Sequence, residues 1–273
     1  MSQAQTSQAR ASQAIVLPET SNPLISFVRS VVPAPLRWGI RNAVRQWTRQ
    51  RLFFVKLLLG DINPLVNNWP DRGQSIHRVY TEAYLEQHHG DIHGHCLEFQ
   101  EATYLAKFGT GAVTQQDILH HNTENPLATI VADLTGANDV PSNTFDCIIC
   151  TYVLHLVPEV EAMVAELHRI LKPGGVLLVV VPNITVNYDE FDEFWRFTGA
   201  GMRVLLRRSF GKQQVTTQSF GNAITAMREL YGLGASSCRS GLLTRQDPRY
   251  ALAVCARAVK GQSLGASGLG SVG

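Results

Sequence analysis

The sequence predicts an α/β fold, a doubly wound, mostly parallel seven-stranded sheet with a helical N-terminal extension. Three observations carry that reading. From His93 onward short apolar runs alternate with helical stretches, the order that builds a sheet with helices on both faces. "VLLVVVP" (176–182) is an unbroken β-branched run, the mark of a parallel strand covered on both sides. Between them, "EVEAMVAELHRIL" puts Val160, Met163, Val164, Leu167, Ile170 and Leu171 on one helical stripe, which Lys172-Pro173-Gly174-Gly175 closes.

The remaining elements follow in order. "HCLEF" is the first strand and a helical stretch through Phe108 follows it, with a turn at Gly109–Gly111. "AVTQQDI", "ATIVADL" and "TFDCIICTYVL" are the next three strands, and Pro141–Asn143 turns into the last of them. "QQVTTQSF" and "YALAVCARAV" flank a helical "NAITAMRELYGL" and complete the far edge. Residues 1–20, rich in Ser, Gln and Ala, and the Gly-rich tail 261–273 have the composition of disorder. Residues 21–90 form a basic helical extension, and 91–260 the α/β domain. In the extension, "PLISFVRSVV" reads as a short helix that stops at Pro33 and Pro35, and a second helix runs from Pro35 to Leu59. Arg37, Arg41, Arg45 and Arg49 recur every four residues along it. Two readings stand side by side: a basic amphipathic helix on an anionic membrane or acidic partner, or a solvated arginine face on a helix packed against the main domain.

Composition narrows the classes. With 45 % hydrophobic and 17 % charged residues in 273, the chain is an ordinary globular protein. A net charge of +2 gives no reason to expect nucleic acid. No acidic residue lies between Glu19 and Asp61, so positive charge concentrates in the extension. Five cysteines have no disulfide spacing, and Cys147 and Cys150, three apart in a strand, point to opposite faces. We read them as buried thiols of a cytoplasmic protein, with no metal site. No stretch reaches the roughly 20 apolar residues of a membrane span, and the first residues lack the apolar core of a secretory signal.

In open α/β sheets, ligands sit at the carboxyl ends of strands. That rule selects Glu98 to Thr103, Asp117, Asp133 with Leu134, and Thr151 to His155. Asp117 follows Glu98 by 19 residues, a spacing that suits a carboxylate on ribose hydroxyls and equally a turn or cap. Asp133 carries the same two readings. His155 is the best-placed general base by location and ordinary pKa, or a histidine packed at the turn. Tyr152, Asp189, Asp192 and Trp195 are candidates for an acceptor pocket, while "NYDEFDEFWRF" also reads as a lid or structural cover.

The run from Ala128 to Pro182 resembles the second half of class I S-adenosylmethionine-dependent methyltransferases. The marks are Asp133, Pro141, Phe145-Asp146, Leu154-His155, Glu166, Arg169 and Leu171 to Gly175. "DRGQSIHRVY", "CLEFQEATYLAKFG" and "FWRFT" extend the likeness over about 60–260, toward a bacterial subgroup associated with glycosyltransferases of polysaccharide assembly. The chain departs from it at Ser75 for proline, His77 for aspartate and Gln100 for glycine.

The resemblance implies a Rossmann-like methyltransferase fold, S-adenosylmethionine as cofactor, and methyl transfer to a small-molecule acceptor such as a sugar. It assigns Glu98, Gln100, Glu101, Asp117, Asp133, Leu134 and Tyr152 to the cofactor, His155 to catalysis, and Asp189 and Trp195 to the acceptor. It also implies a glycosyltransferase partner and a cytoplasmic, membrane-peripheral place through the arginine helix. The competing reading is a non-catalytic scaffold on the same fold, because Gln100 disfavours the positive φ that a glycine supplies.

Overall fold

A computed structural model describes residues 33–66, 72–187 and 191–262. Residues 1–20, the short helix expected at 23–32, the tail from 263 and Asp189 lie outside them. The chain divides into two compact units, Met1–Arg49 and Gln50–Gly273, and the boundary falls inside helix α1 (Ala34–Leu59).

The second unit holds a seven-stranded sheet of β1 (Gly94–Phe99), β2 (Val113–His120), β3 (Ile130–Val131), β4 (Phe145–Thr151), β5 (Leu171–Pro182), β6 (Val215–Phe220) and β7 (Ala253–Val259), in the order β3-β2-β1-β4-β5-β7-β6. The first five pair in parallel, and only β7 runs against them. Strand order reverses between β1 and β4, so their carboxyl ends flank the crevice where such sheets bind ligands.

Two cores line the sheet. On one face α4 (Val160–Ile170) and α5 (Gly199–Phe210) cover Leu97, Ile148, Cys150, Leu177 and Val179. On the other, α2 (Ile76–Gln87), α3 (Thr103–Phe108) and α6 (Ala223–Leu230) cover Cys96, Cys147, Ile149 and Leu178. Cys147 and Cys150 therefore face opposite cores, as the strand period requires. The six residues from Leu177 to Pro182 run through the centre of the sheet and are buried, which is why β5 shows no polar alternation.

Among the described residues no helix separates β2 from β3 or β3 from β4. The loop into β4 is held by Arg169 instead. Its guanidinium bonds Val140 O (2.7 Å), Ser142 Oγ (3.0 Å) and Asn138 Oδ1 (3.0 Å), while Glu166 Oε2 accepts from it at 2.8 Å. Lys172 reaches Asp146 (2.7 Å), and Asp146 accepts from His95 N (2.8 Å), tying β5, β4 and β1 together at their amino ends. Gly94 sits at φ +69 with no room for a Cβ, which would stand 2.4 Å from Asp146 Oδ2.

The start of α2 depends on a carboxylate far away in sequence. Glu229, in α6 and 4 % exposed, accepts from Ile76 N (3.0 Å) and Ser75 Oγ (3.4 Å), with Arg72 at 4.0 Å. Burial pushes its carboxyl above the usual range, against the Ile76 amide and Arg72, which favour the charge. Removing it strands the buried Ile76 amide. Glu229→Ala is expected to lower the free energy of unfolding by about 3 kcal/mol in urea denaturation, and a loss within experimental error would show that α2 is anchored elsewhere.

Candidate functional site

The first strand ends at Phe99, and the chain turns on Gln100. Gln100 has φ +72, and Glu101 N donates to Phe99 O at 2.9 Å, forming a three-residue γ-turn of the left-handed, strained kind. Glutamine is expected to avoid this region. The surroundings over-determine it: Gln100 N donates to Leu119 O (3.2 Å), and Asn125 Nδ2 donates to Gln100 O (2.6 Å). The loop thus holds a left-handed backbone at Gln100, with the Gln100 and Glu101 side chains exposed.

Glu98 is 2 % exposed. Its Oε2 accepts from Leu105 N (2.8 Å) and Tyr104 N (3.1 Å), and Oε1 also lies 3.1 Å from Tyr104 N, so the carboxylate caps the first turn of α3. This is a structural role, distinct from the cofactor contact expected of it. Burial lifts the group to a pKa of about 7, although both amides favour the charge.

The expected position of Asp117 is corrected. β2 continues to His120, and Asp117 pairs with Leu97 in mid-strand, away from the carboxyl end. Its oxygens meet His95 Nε2 (2.6 Å) and Thr129 Oγ1 (2.7 Å). Burial raises its pKa, but the Thr129 and His95 bonds outweigh this and hold it below the usual range. The strand persists because Ile118 and Leu119 continue the ladder with Glu98 and Phe99.

Asp133 is exposed beyond the two-residue β3, and its Oδ1 accepts from Thr135 N (2.8 Å) and Oγ1 (2.7 Å). Those two bonds hold its carboxyl below the usual range. Leu134 turns into the core, 3 % exposed. Asp117 and Asp133 line one cavity of about 570 Å³, with 129–132, 137–141, Thr144 and Phe145 around it. Gln100, Glu101, Tyr152 and His155 are not on its wall.

At the end of β4, Tyr152 has φ +55. Its hydroxyl meets Thr81 Oγ1 at 2.9 Å, and Thr81 donates its single proton to His77 O (3.0 Å), so Tyr152 is the donor. His155, 6 % exposed, follows in the turn Leu154–Leu156, with ring centroids of Tyr152 and His155 6.4 Å apart. On the other side the His77 ring stands 5.9 Å from Tyr152, and its Nε2 bonds Ile184 O (3.0 Å). Burial, with the Arg196 charge nearby, lowers both histidines to a pKa of about 4, so both are neutral at pH 7. Among the described residues, Nδ1 of each is buried without a hydrogen-bond partner. Trp195 covers the turn: its amide reaches His155 O (3.2 Å) and its Nε1 donates to Val157 O (2.8 Å).

His77 and Asn125 were missed as participants. His77 showed only as a departure from a family pattern. Asn125 lies in the polar run "HHNTEN", a signal for a loop after a strand that does not say which residue reaches back.

Residues 96–179 match a protein family described as a methyltransferase domain. The arginine-hydroxylase NDUFAF5 of Rattus norvegicus is 26 % identical over 182 residues, 56 % of this chain and 53 % of that protein. The ubiquinone/menaquinone biosynthesis C-methyltransferase UbiE of Citrobacter koseri is 50 % identical over 57 residues, 19 % of this chain and 23 % of that one. The chain thus spans about half, or less, of the curated relatives it matches. Among solved structures, the 1,6-didemethyltoxoflavin-N1-methyltransferase of Burkholderia thailandensis, with 1,6-didemethyltoxoflavin and S-adenosylhomocysteine bound, is 14 % identical at a TM-score of 0.45, covering 85 % of this chain and 92 % of that one. A methyltransferase-like protein of Bacillus halodurans is 14 % identical at a TM-score of 0.43, covering 67 % and 100 %.

The family match supports S-adenosylmethionine as the cofactor. The residues fit it in one testable respect: Gln100 holds the left-handed turn at φ +72, and the cofactor has no phosphate that would demand glycine amides at close range.

Two outcomes follow. Gln100→Gly relieves the strained φ and is expected to raise the free energy of unfolding by about 1 kcal/mol; a loss in urea unfolding would show the glutamine side chain to be stabilising. Glu98 has a folded pKa of about 7 against an ordinary 4.5, so between these values the folded state holds the proton more tightly. Stability from this group is full below pH 4.5 and is lost as pH rises toward 7, by up to about 1.4 kcal/mol per pH unit. Glu98→Gln, whose amide oxygen can still accept from α3, is expected to flatten that slope in urea titrations at several pH values.

Proposed function

We propose that the chain transfers a methyl group from S-adenosylmethionine to a hydroxyl of a small acceptor, a sugar of cell-surface polysaccharide assembly. The same reading places it in the cytoplasm, beside a glycosyltransferase and at the membrane surface. The observation that carries the proposal is the retained left-handed turn at Gln100, next to a β4 turn that presents a neutral, buried His155.

The cofactor, when bound, supplies a methyl group already activated on a sulfonium. The chain's own task is positioning, which in aligned reactions is worth large effective molarities. Gln100 and Glu101 stand at the β1 loop, where the Glu101 carboxylate suits the cofactor's ammonium. Asp133, at the end of β3, is the acid for its ribose or adenine edge. Asp117 is less suited, because His95 and Thr129 already occupy both oxygens.

Neutral His155 accepts a hydrogen bond from an acceptor hydroxyl without first losing a proton. A pKa of about 4 makes it a better orienting group than a strong general base at pH 7. Trp195 is fixed over the same turn by its bond to Val157 O, where it can line the acceptor's path.

Calorimetry with S-adenosylmethionine is the primary test. Wild type is expected to bind, and Asp133→Ala to weaken binding about tenfold, the loss of one hydrogen bond to a charged group. His155→Ala is expected to lower kcat about tenfold in an acceptor assay and leave cofactor affinity intact. Absence of binding in wild type, with binding restored in Gln100→Gly, defeats the enzyme reading and leaves a scaffold on a methyltransferase fold.

A further inference from the structure

Helix α1 carries its apolar residues outward. Within the first unit, Leu36, Ile40, Val44 and Trp47 fall inside an arc of about 80° at 3.6 residues per turn, and each is more than half exposed, from 53 % for Ile40 to 58 % for Leu36. The arginine positions 37, 41, 45 and 49 run along the adjoining arc, and Trp38, 70 % exposed, lies among them. Asn42, Gln46 and Arg49, on the opposite side, are half-buried, while Arg41 and Arg45 are exposed. The usual amphipathic helix buries its apolar stripe; here that stripe is exposed beside the arginines. In the second unit, Phe54 and Leu58 are exposed as well, whereas Phe53 is buried under Tyr231 and the Arg228 guanidinium.

We infer that this stripe is a docking surface for a bilayer bearing anionic lipid, with α1 lying flat in the headgroup layer. The inference deepens the membrane-peripheral part of the proposed function and is independent of the methyl-transfer chemistry. Three features select a lipid surface. The apolar side chains lie along one line of the helix, matching a plane, and each buried there gains about 1.5–3 kcal/mol relative to water. The flanking charge is all positive, with no acidic residue from 20 to 60, so it complements anionic headgroups at about 1 kcal/mol per cation. Tryptophans at 38 and 47 are the side chains that favour the membrane–water interface. Among the described residues no helix is long and apolar enough to cross a membrane, so α1 lies on the surface.

The test uses the full chain and co-sedimentation with vesicles of phosphatidylcholine, alone or mixed with phosphatidylglycerol. Binding is expected only to the mixed vesicles, weakened tenfold or more by Arg41→Gln with Arg45→Gln, and lost in Ile40→Asp with Val44→Asp. Circular dichroism and thermal melts check that both variants stay folded. Absence of binding to the mixed vesicles overturns the inference. So does light scattering that reveals a dimer dispersed by the aspartate variants without vesicle binding, since a second copy then covers the stripe. Calorimetry with S-adenosylmethionine on the same variants reads the enzyme reading separately: lost vesicle binding with unchanged cofactor affinity belongs to the helix alone.

Discussion

The buried Glu98 carboxylate on the first turn of α3 is the contact on which the candidate site depends. It closes β1, starts the helix and leaves only Gln100 to Ala102 to join them. A chain so constrained must reverse within three residues, and the left-handed γ-turn at Gln100 is the solution it adopts. The strain at Gln100 is thus a consequence of two well-satisfied neighbours. The same device appears at the start of α2, where Glu229 accepts from Ile76 N. Two interior carboxylates satisfy helix amides that would otherwise be buried and unpaired.

The residues that make the chain resemble a methyltransferase are largely scaffold. Asp146 joins His95 N to Lys172, Glu166 orients Arg169, and Arg169 holds the loop that replaces a helix before β4. Lys260 adds bonds to Arg169 O (3.1 Å) and Leu171 O (2.7 Å) at the end of α4. Such a motif reports the fold with force and the reaction only weakly, because function resides in the site.

The fold was legible wherever burial is uniform or strictly periodic. α4 could be read almost to the residue and β5 to its carboxyl end, although β5 starts at Leu171 and not Val176, and the opposed faces of Cys147 and Cys150 followed from the period of two. β3 was overestimated, since only Ile130 and Val131 pair in a run of seven β-prone residues. Asp117 lies in mid-strand and not at the carboxyl end, because β2 runs on to His120; there His95 and Thr129 satisfy it. The candidate site was only partly legible: Gln100 and His155 were placed in the turns after β1 and β4, but Asn125 and His77 come to those turns from other segments.

By itself the sequence determined the sheet, its two apolar faces and the concentration of positive charge before Asp61. These are properties of local period and composition, which need no knowledge of neighbours. Tertiary structure alone decided that Gln100 adopts a left-handed turn, that Glu98 caps a helix and that Asp117 is bonded to His95 and Thr129. Each of those depends on which distant group meets a side chain, and a one-dimensional pattern does not contain that pairing.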